Sequence, residues 1–244
     1  MSSASASPAD PAAGRPARRI LVWDAPVRVF HWLLVASFAG AWLTGDSERW
    51  RLLHVTLGYT MAGLVAFRVL WGVVGTRHAR FASFVRGPGA ALRYLGAALR
   101  GRPQHHTGHN PAGALAIVAL LALTAAAGVS GWGAGNGIDA LEDVHEGIVE
   151  AMLALVLLHV AAVVLSSWLH RENLVAAMFT GRKAGPPEDG IRRPWRGVAA
   201  LIVAAVVGFW AWQWQQAPAP ADAGAQATAD DGDGRRGRGG GRDH

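Results

Sequence analysis

Polar residues are sparse over most of this chain, and five stretches are almost continuously apolar: Val29–Leu43, Leu52–Val74, Pro111–Trp132, Ile148–Leu169 and Val198–Trp214. Each approaches or meets the ~17–25 residues a helix needs to cross hydrocarbon, the first and last lying nearest the short limit. None shows the broad polar face that a helix of a soluble bundle requires, so the pattern predicts transmembrane helices. Trp32, Trp42, Trp210, Trp212 and Trp214 are placed to anchor the two shorter spans at an interface. Between Phe84 and Arg100 a mixed apolar and basic stretch follows the break at Gly87-Pro88, predicting a helix that lies on the inner membrane surface. The two ends are rich in Ala, Pro, Gly, Asp and Arg and cannot bury enough apolar surface to offset ordering. The expected organisation is therefore a disordered N-terminus over 1–19, a helical core over 20–182, a linker and fifth helix over 183–214, and a disordered polar tail over 215–244.

Composition agrees, with 51% hydrophobic and only 16% charged residues in 244. The net charge of +6 does not point to nucleic acid, because the arginines lie in the loops between spans. The Arg235–Arg242 stretch reads as a solvated tail rather than an RNA-binding segment, and Arg18-Arg19 as flanking charge rather than a twin-arginine signal. Residues 75–110 carry Arg77, Arg80, Arg86, Arg93, Arg100 and Arg102 and no acid, whereas residues 133–147 carry Asp139, Glu142, Asp143 and Glu146 and no base. Residues 170–197 are again predominantly basic. The positive-inside rule then puts the N-terminus and both basic loops in the cytoplasm and, with five spans, the C-terminus outside.

Against this background four histidines stand out, His31, His54, His145 and His159, each inside or at the edge of an apolar stretch. An ionisable side chain in a membrane is a functional-site hypothesis by default. His145 and His159 are fourteen residues apart on one helix, a rise of about 21 Å over nearly four whole turns, so they share a face at two depths. His31 starts the first span from the cytoplasmic side and matches His159 in depth; His54 starts the second span from the outside and matches His145. Two bis-histidine centres follow, and haem is the group that best fits such pairs in a helix bundle. The chain has no cysteine, which excludes disulfides, covalent c-type haem and thiolate-held clusters, so the haem must be b-type, two per chain.

Arg68 lies fourteen residues past His54 on the same face, toward the cytoplasm. It either pairs with a propionate of the inner haem or snorkels to the headgroups. Gly58, Gly63, Gly128 and Gly131 would let helices or a flat porphyrin approach closely. His78, His105, His106 and His109 read as ordinary residues of the basic loop, a zinc site among the last three lacking any carboxylate or thiol. His170, eleven residues past His159, is a reserve ligand, and Glu150 the sole carboxylate that a proton relay could use.

The strings Trp23-Asp24-Ala25-Pro26-Val27-Arg28-Val29-Phe30-His31-Trp32, His54-Val55-Thr56-Leu57-Gly58-Tyr59 and Phe67-Arg68 resemble the bacterial cytochrome b561 family, described together with the b-type cytochrome subunit of nickel–iron hydrogenases. So do His109-Asn110-Pro111-Ala112-Gly113-Ala114 and His145-Glu146 followed by His159. The similarity covers roughly residues 20–182, and the fifth span and tail go beyond the family's four-helix pattern. The resemblance implies an all-α integral membrane protein, with a four-transmembrane-helix bundle holding two haems b on His31, His54, His145 and His159, in a bacterial cytoplasmic (inner) membrane. It also implies electron transfer between quinone, the expected substrate, and a partner protein: a hydrogenase, a dehydrogenase or a periplasmic cytochrome c. The alternative is a stand-alone quinone oxidoreductase acting on superoxide or another small oxidant. Lipid is the surrounding partner, and the reading leaves room for an oligomer.

Overall fold

The computed structural model describes residues 18–100, 107–169 and 171–216. Its long elements are helices α1 (Ala25–Thr44), α2 (Arg51–Val74), α5 (Pro111–Gly135), α6 (Ala140–Leu169) and α8 (Arg196–Gln215), all long and apolar enough to cross a membrane. Between them lie α3 (Phe81–Phe84), α4 (Pro88–Leu99) and α7 (Leu174–Thr180). In hydrocarbon a backbone N–H or C=O without a partner costs several kcal/mol, so these apolar runs close their hydrogen bonds within one helix. Hydroxyls inside the spans follow the same rule. Thr56 donates to Leu52 O at 2.7 Å, Thr124 to Leu120 O at 2.8 Å and Ser130 to Ala126 O at 2.9 Å.

Helix starts are set by caps. Asp24 Oδ1 accepts from Val27 N at 2.8 Å ahead of Pro26, and Asn110 Oδ1 accepts from Gly113 N at 2.7 Å ahead of Pro111. For this reason α1 begins four residues before the apolar stretch that predicted it. The surface helix expected after Gly87-Pro88 is α4, starting at Pro88.

Adjacent helices pair, α1 with α2 and α5 with α6, while α2 also packs on α5. Among the described residues α6 makes no comparable packing with α1 or α2, and it buries only Met152. The bundle is thus two helical hairpins joined along α2 and α5, with the faces of α1, α2 and α6 not closed by direct helix contact.

One end carries a cap that the hydrophobic pattern did not reveal. Strand β1 (Arg18–Leu21) pairs antiparallel with β2 (Arg182–Gly185), Ile20 opposite Lys183. The first two residues of β1, Arg18 and Arg19, therefore fall inside the segment 1–19 expected to be disordered, and β2 straddles the expected boundary between core and linker at residue 183. Both polar ends beyond these, 1–17 and 217–244, fall outside the described residues. Gly181, at φ +78°, turns the chain from α7 into β2, and its carbonyl accepts from Val22 N and Trp23 N at 2.8 and 3.1 Å. Ile20, Val22, Trp23 and Ala177 form the small core beneath.

Asp24 joins this cap to the bundle. The residue is 1% exposed, and its Oδ2 accepts from Trp71 Nε1 at 3.0 Å and Thr76 Oγ1 at 2.6 Å while Oδ1 caps α1. The N-terminus of α1 is thereby pinned to the C-terminal end of α2, and Val27, Trp71 and Ala79 pack around the pin with Phe67 and Val198. The chain forms two compact units that meet after Val203, so the first part of α8 belongs with this unit, and Trp195 meets Trp71 edge-on at 5.6 Å. The second unit, from Ala204, holds the rest of α8, in which Phe209 and Trp212 lie 6.1 Å apart.

Asp24→Ala removes a cap and two buried acceptors together, and is expected to cost about 2–4 kcal/mol. Asp24→Asn keeps the capping oxygen and should lose less. Thermal unfolding of the detergent-solubilised protein orders the two variants; equal melting of Asp24→Ala and the native chain would refute the clamp.

Candidate cofactor sites

His54 lies on the first turn of α2 and His145 near the start of α6, at the end of the bundle away from the cap. His54 Nδ1 is 2.9 Å from Ala41 O on α1, and His145 Nδ1 is 3.0 Å from Ala127 O on α5, with Ser130 Oγ 3.3 Å away. A carbonyl only accepts, so Nδ1 carries the proton in both rings and Nε2 keeps its lone pair. This is the arrangement that orients a metal-binding imidazole and raises its basicity. The two rings lie 6.2 Å apart between centroids with planes at 81°. Gly131 makes room for one of them: a Cβ there would lie 2.9 Å from His145 Cε1. Glycine in a helix costs about 1 kcal/mol relative to alanine, so its place beside the ring has a packing reason.

His31, on the second turn of α1, and His159, on α6, form the other pair, close enough for the charge of one to act on the other. His31 Nδ1 is buried without a partner. Trp32 stands edge-on to His31 at 5.0 Å and stacks on Phe179 of α7 at 4.2 Å, and its Nε1 is also buried and unpartnered.

The donor set can be compared with what haem requires. The His54 and His145 rings, 6.2 Å apart between centroids and each with Nδ1 held by a carbonyl, would be the two protein donors to one haem iron. Porphyrin fills the iron's other four positions, so two protein donors suffice. Among the described residues no cluster of three or more His, Cys, Asp or Glu side chains is set to hold a bare ion. Gly58, one turn after His54 on α2, has nothing within 4 Å of where a Cβ would be. The residues therefore fit haem.

Arg68 is 3% exposed, its guanidinium stacked over Phe81 at 4.7 Å, and its Nη1 has no acceptor. It is covered by protein rather than extended to headgroups. His109 was read from sequence as an ordinary loop residue, yet its ring lies between Trp23 and Phe84, at 4.5 and 4.6 Å, with Nδ1 buried and unpartnered. Burial pushes it down to about 3, and the neighbouring Arg68, Lys183, His78 and His159 push the same way, so it is a neutral imidazole near pH 7. The available signal was its position immediately before the Asn110-Pro111 cap, where a helix start holds it in place. His78, by contrast, is occupied structurally, its Nε2 2.7 Å from Asp189 O. His105, His106 and His170 lie outside the described residues, and Glu150 is exposed.

The profile of the prokaryotic cytochrome b561 family matches residues 22–181. A curated relative from Bradyrhizobium diazoefficiens, named probable Ni/Fe-hydrogenase B-type cytochrome subunit, is 24% identical over 220 residues, covering 70% of this chain and 88% of its own. No solved structure matches. The family match takes in the four helices α1, α2, α5 and α6 and every paired histidine, and stops just short of the two strands of the cap on either side. The chain therefore belongs to the prokaryotic cytochrome b561 family, as a multi-pass bacterial membrane b-type cytochrome of electron transfer.

Proposed function

We propose that the chain carries electrons across the cytoplasmic membrane between quinone and a redox partner protein, through two haems b ligated by His54 with His145 and by His31 with His159. The observation that carries this reading is the His54–His145 pair, 6.2 Å apart with both Nδ1 atoms committed to backbone carbonyls. When bound, haem supplies one-electron exchange between ferric and ferrous iron. The chain's own residues supply the rest. His31, His54, His145 and His159 would hold the two haems with two imidazoles each, which would leave no open position for a small oxidant and favours conduction over the stand-alone oxidoreductase. The carbonyls of Ala41 and Ala127 hold the rings so that little reorganisation accompanies the change of charge. Because α6 carries one ligand of each pair, fourteen residues apart, it sets the two centres at different depths.

Arg68 belongs to the site at the capped end. The loop charges support a cytoplasmic N-terminus, which makes the His31–His159 centre the inner one. The hydrogenase in the relative's name supports a hydrogenase-like partner.

Pyridine haemochrome analysis of the fully loaded chain should give two haems b per polypeptide; one haem would sink the two-centre reading. His54→Ala and His145→Ala should each remove the same component of the reduced-minus-oxidised spectrum, and His31→Ala and His159→Ala the other. Loss of one shared component from His31→Ala and His54→Ala would overturn the pairing. For topology, Asp139→Cys should react with an impermeant thiol reagent from the periplasm and Arg93→Cys should not, on a background with no native cysteine. Reversed labelling would exchange the inner and outer centres.

A further inference from the structure

Four buried polar side-chain atoms lack partners among the described residues: His31 Nδ1, Trp32 Nε1, Arg68 Nη1 and His109 Nδ1. All four lie at the capped end. At the other end His54 and His145 each have their Nδ1 satisfied. A buried donor left unpaired costs about 1–3 kcal/mol, and a charged one more, so their concentration at one end indicates a missing acceptor there.

Two of the four point to an anion. Arg68 is a nearly fully buried cation that, among the described residues, makes no ion pair. Its nearest carboxylate influence is Asp24, whose oxygens are already engaged by Val27 N, Trp71 Nε1 and Thr76 Oγ1. A guanidinium in that setting requires a carboxylate or phosphate. His109 is near enough for the Arg68 charge to act on it, and the two flank the short helix α3, whose Phe81 meets Arg68 and whose Phe84 meets His109. The charge of His159 also reaches His109, which puts these donors at the same end of the bundle as the His31–His159 pair.

We propose that Arg68 and His109 together bind a propionate carboxylate of the haem at the capped end, Arg68 by a charge-assisted hydrogen bond and His109 through its Nδ1–H. The inference rests on the two-haem reading and extends it to a residue that the ligand pattern does not include. The buried position of Arg68 favours a carboxylate delivered from within the bundle over a lipid phosphate arriving from the surface. His109, clamped between Trp23 and Phe84, cannot swing away, so it fixes where that carboxylate lies and with it the rotation of the porphyrin about its axial bonds.

The test uses the full chain in detergent micelles, loaded during expression with either haem or haem dimethyl ester, whose propionates are esterified. Transfer of pigment from the capped-end site to excess apomyoglobin is timed, with that site identified as the spectral component lost in His31→Ala. Arg68→Met and His109→Phe are each expected to accelerate haem loss by about ten-fold, the value of one hydrogen bond to a charged group. Both should leave loss of the dimethyl ester unchanged, and Arg68→Lys should recover most of the haem retention. The far-end component serves as the folding control and should be held equally by all variants. Equal acceleration for haem and its ester would overturn the proposal, since the side chains would then act on packing alone. So would a thermal stabilisation of the haem-free chain by phosphatidylglycerol vesicles that disappears in Arg68→Met, which would assign the anion to a lipid phosphate. A native chain that loads a single haem fails the two-centre reading instead, a result distinct from either.

Discussion

A bilayer interior offers no hydrogen-bond partners, and every polar group in this chain has to answer to that. The backbone does so by closing into five long helices, and the buried threonines and serines by returning their hydroxyls to carbonyls one turn back. Asp24 does so by taking three donors at once, and in the process fastens α1 to α2 and the cap to both. His54 and His145 comply on one side of each ring only: Nδ1 is paired and Nε2 is left with a lone pair. The groups that remain unpaired are gathered at a single end, around His31 and Arg68. Among the described residues, the buried side-chain atoms without a partner all lie at the capped end.

Helix α6 acts as the ruler of the bundle. It packs along α5 and fully buries only Met152, yet carries one histidine of each pair. Its packing is directed to α5 and α7, which leaves its approach to α1 and α2 open to a group other than side chains. In the proposed reading the separation of its two histidines lets an electron pass between two depths of the membrane without any large movement of the protein.

Much of this was visible in the sequence because it rests on local periodicity. The five spans follow from runs of apolar residues, α4 from the Gly87-Pro88 break, and the shared face of His145 and His159 from helical geometry. The cap was not visible. Its strands are four residues each, RRIL and RKAG, with no alternating pattern, and they pair across more than 160 residues of chain, a partnership no local window can reveal. Asp24 could be read as part of a family motif but not as a clamp, because Trp71 and Thr76, its partners, are distant in sequence. His109 was missed for a related reason. In a basic loop a histidine looks solvated, and only the return of Trp23 and Phe84 to either side of it encloses the ring. For Arg68 the sequence left two outcomes open, and its coverage beneath Phe81 speaks against snorkelling.

The central claim is that two imidazoles close the coordination of each iron, and spin state reads this directly. Electron paramagnetic resonance of the oxidised, fully loaded protein should show only low-spin ferric haem, integrating to both irons of the chain. A high-spin ferric signal equivalent to one iron would mean that one centre lacks its second histidine, and would contradict the pairing of helices on which the account depends.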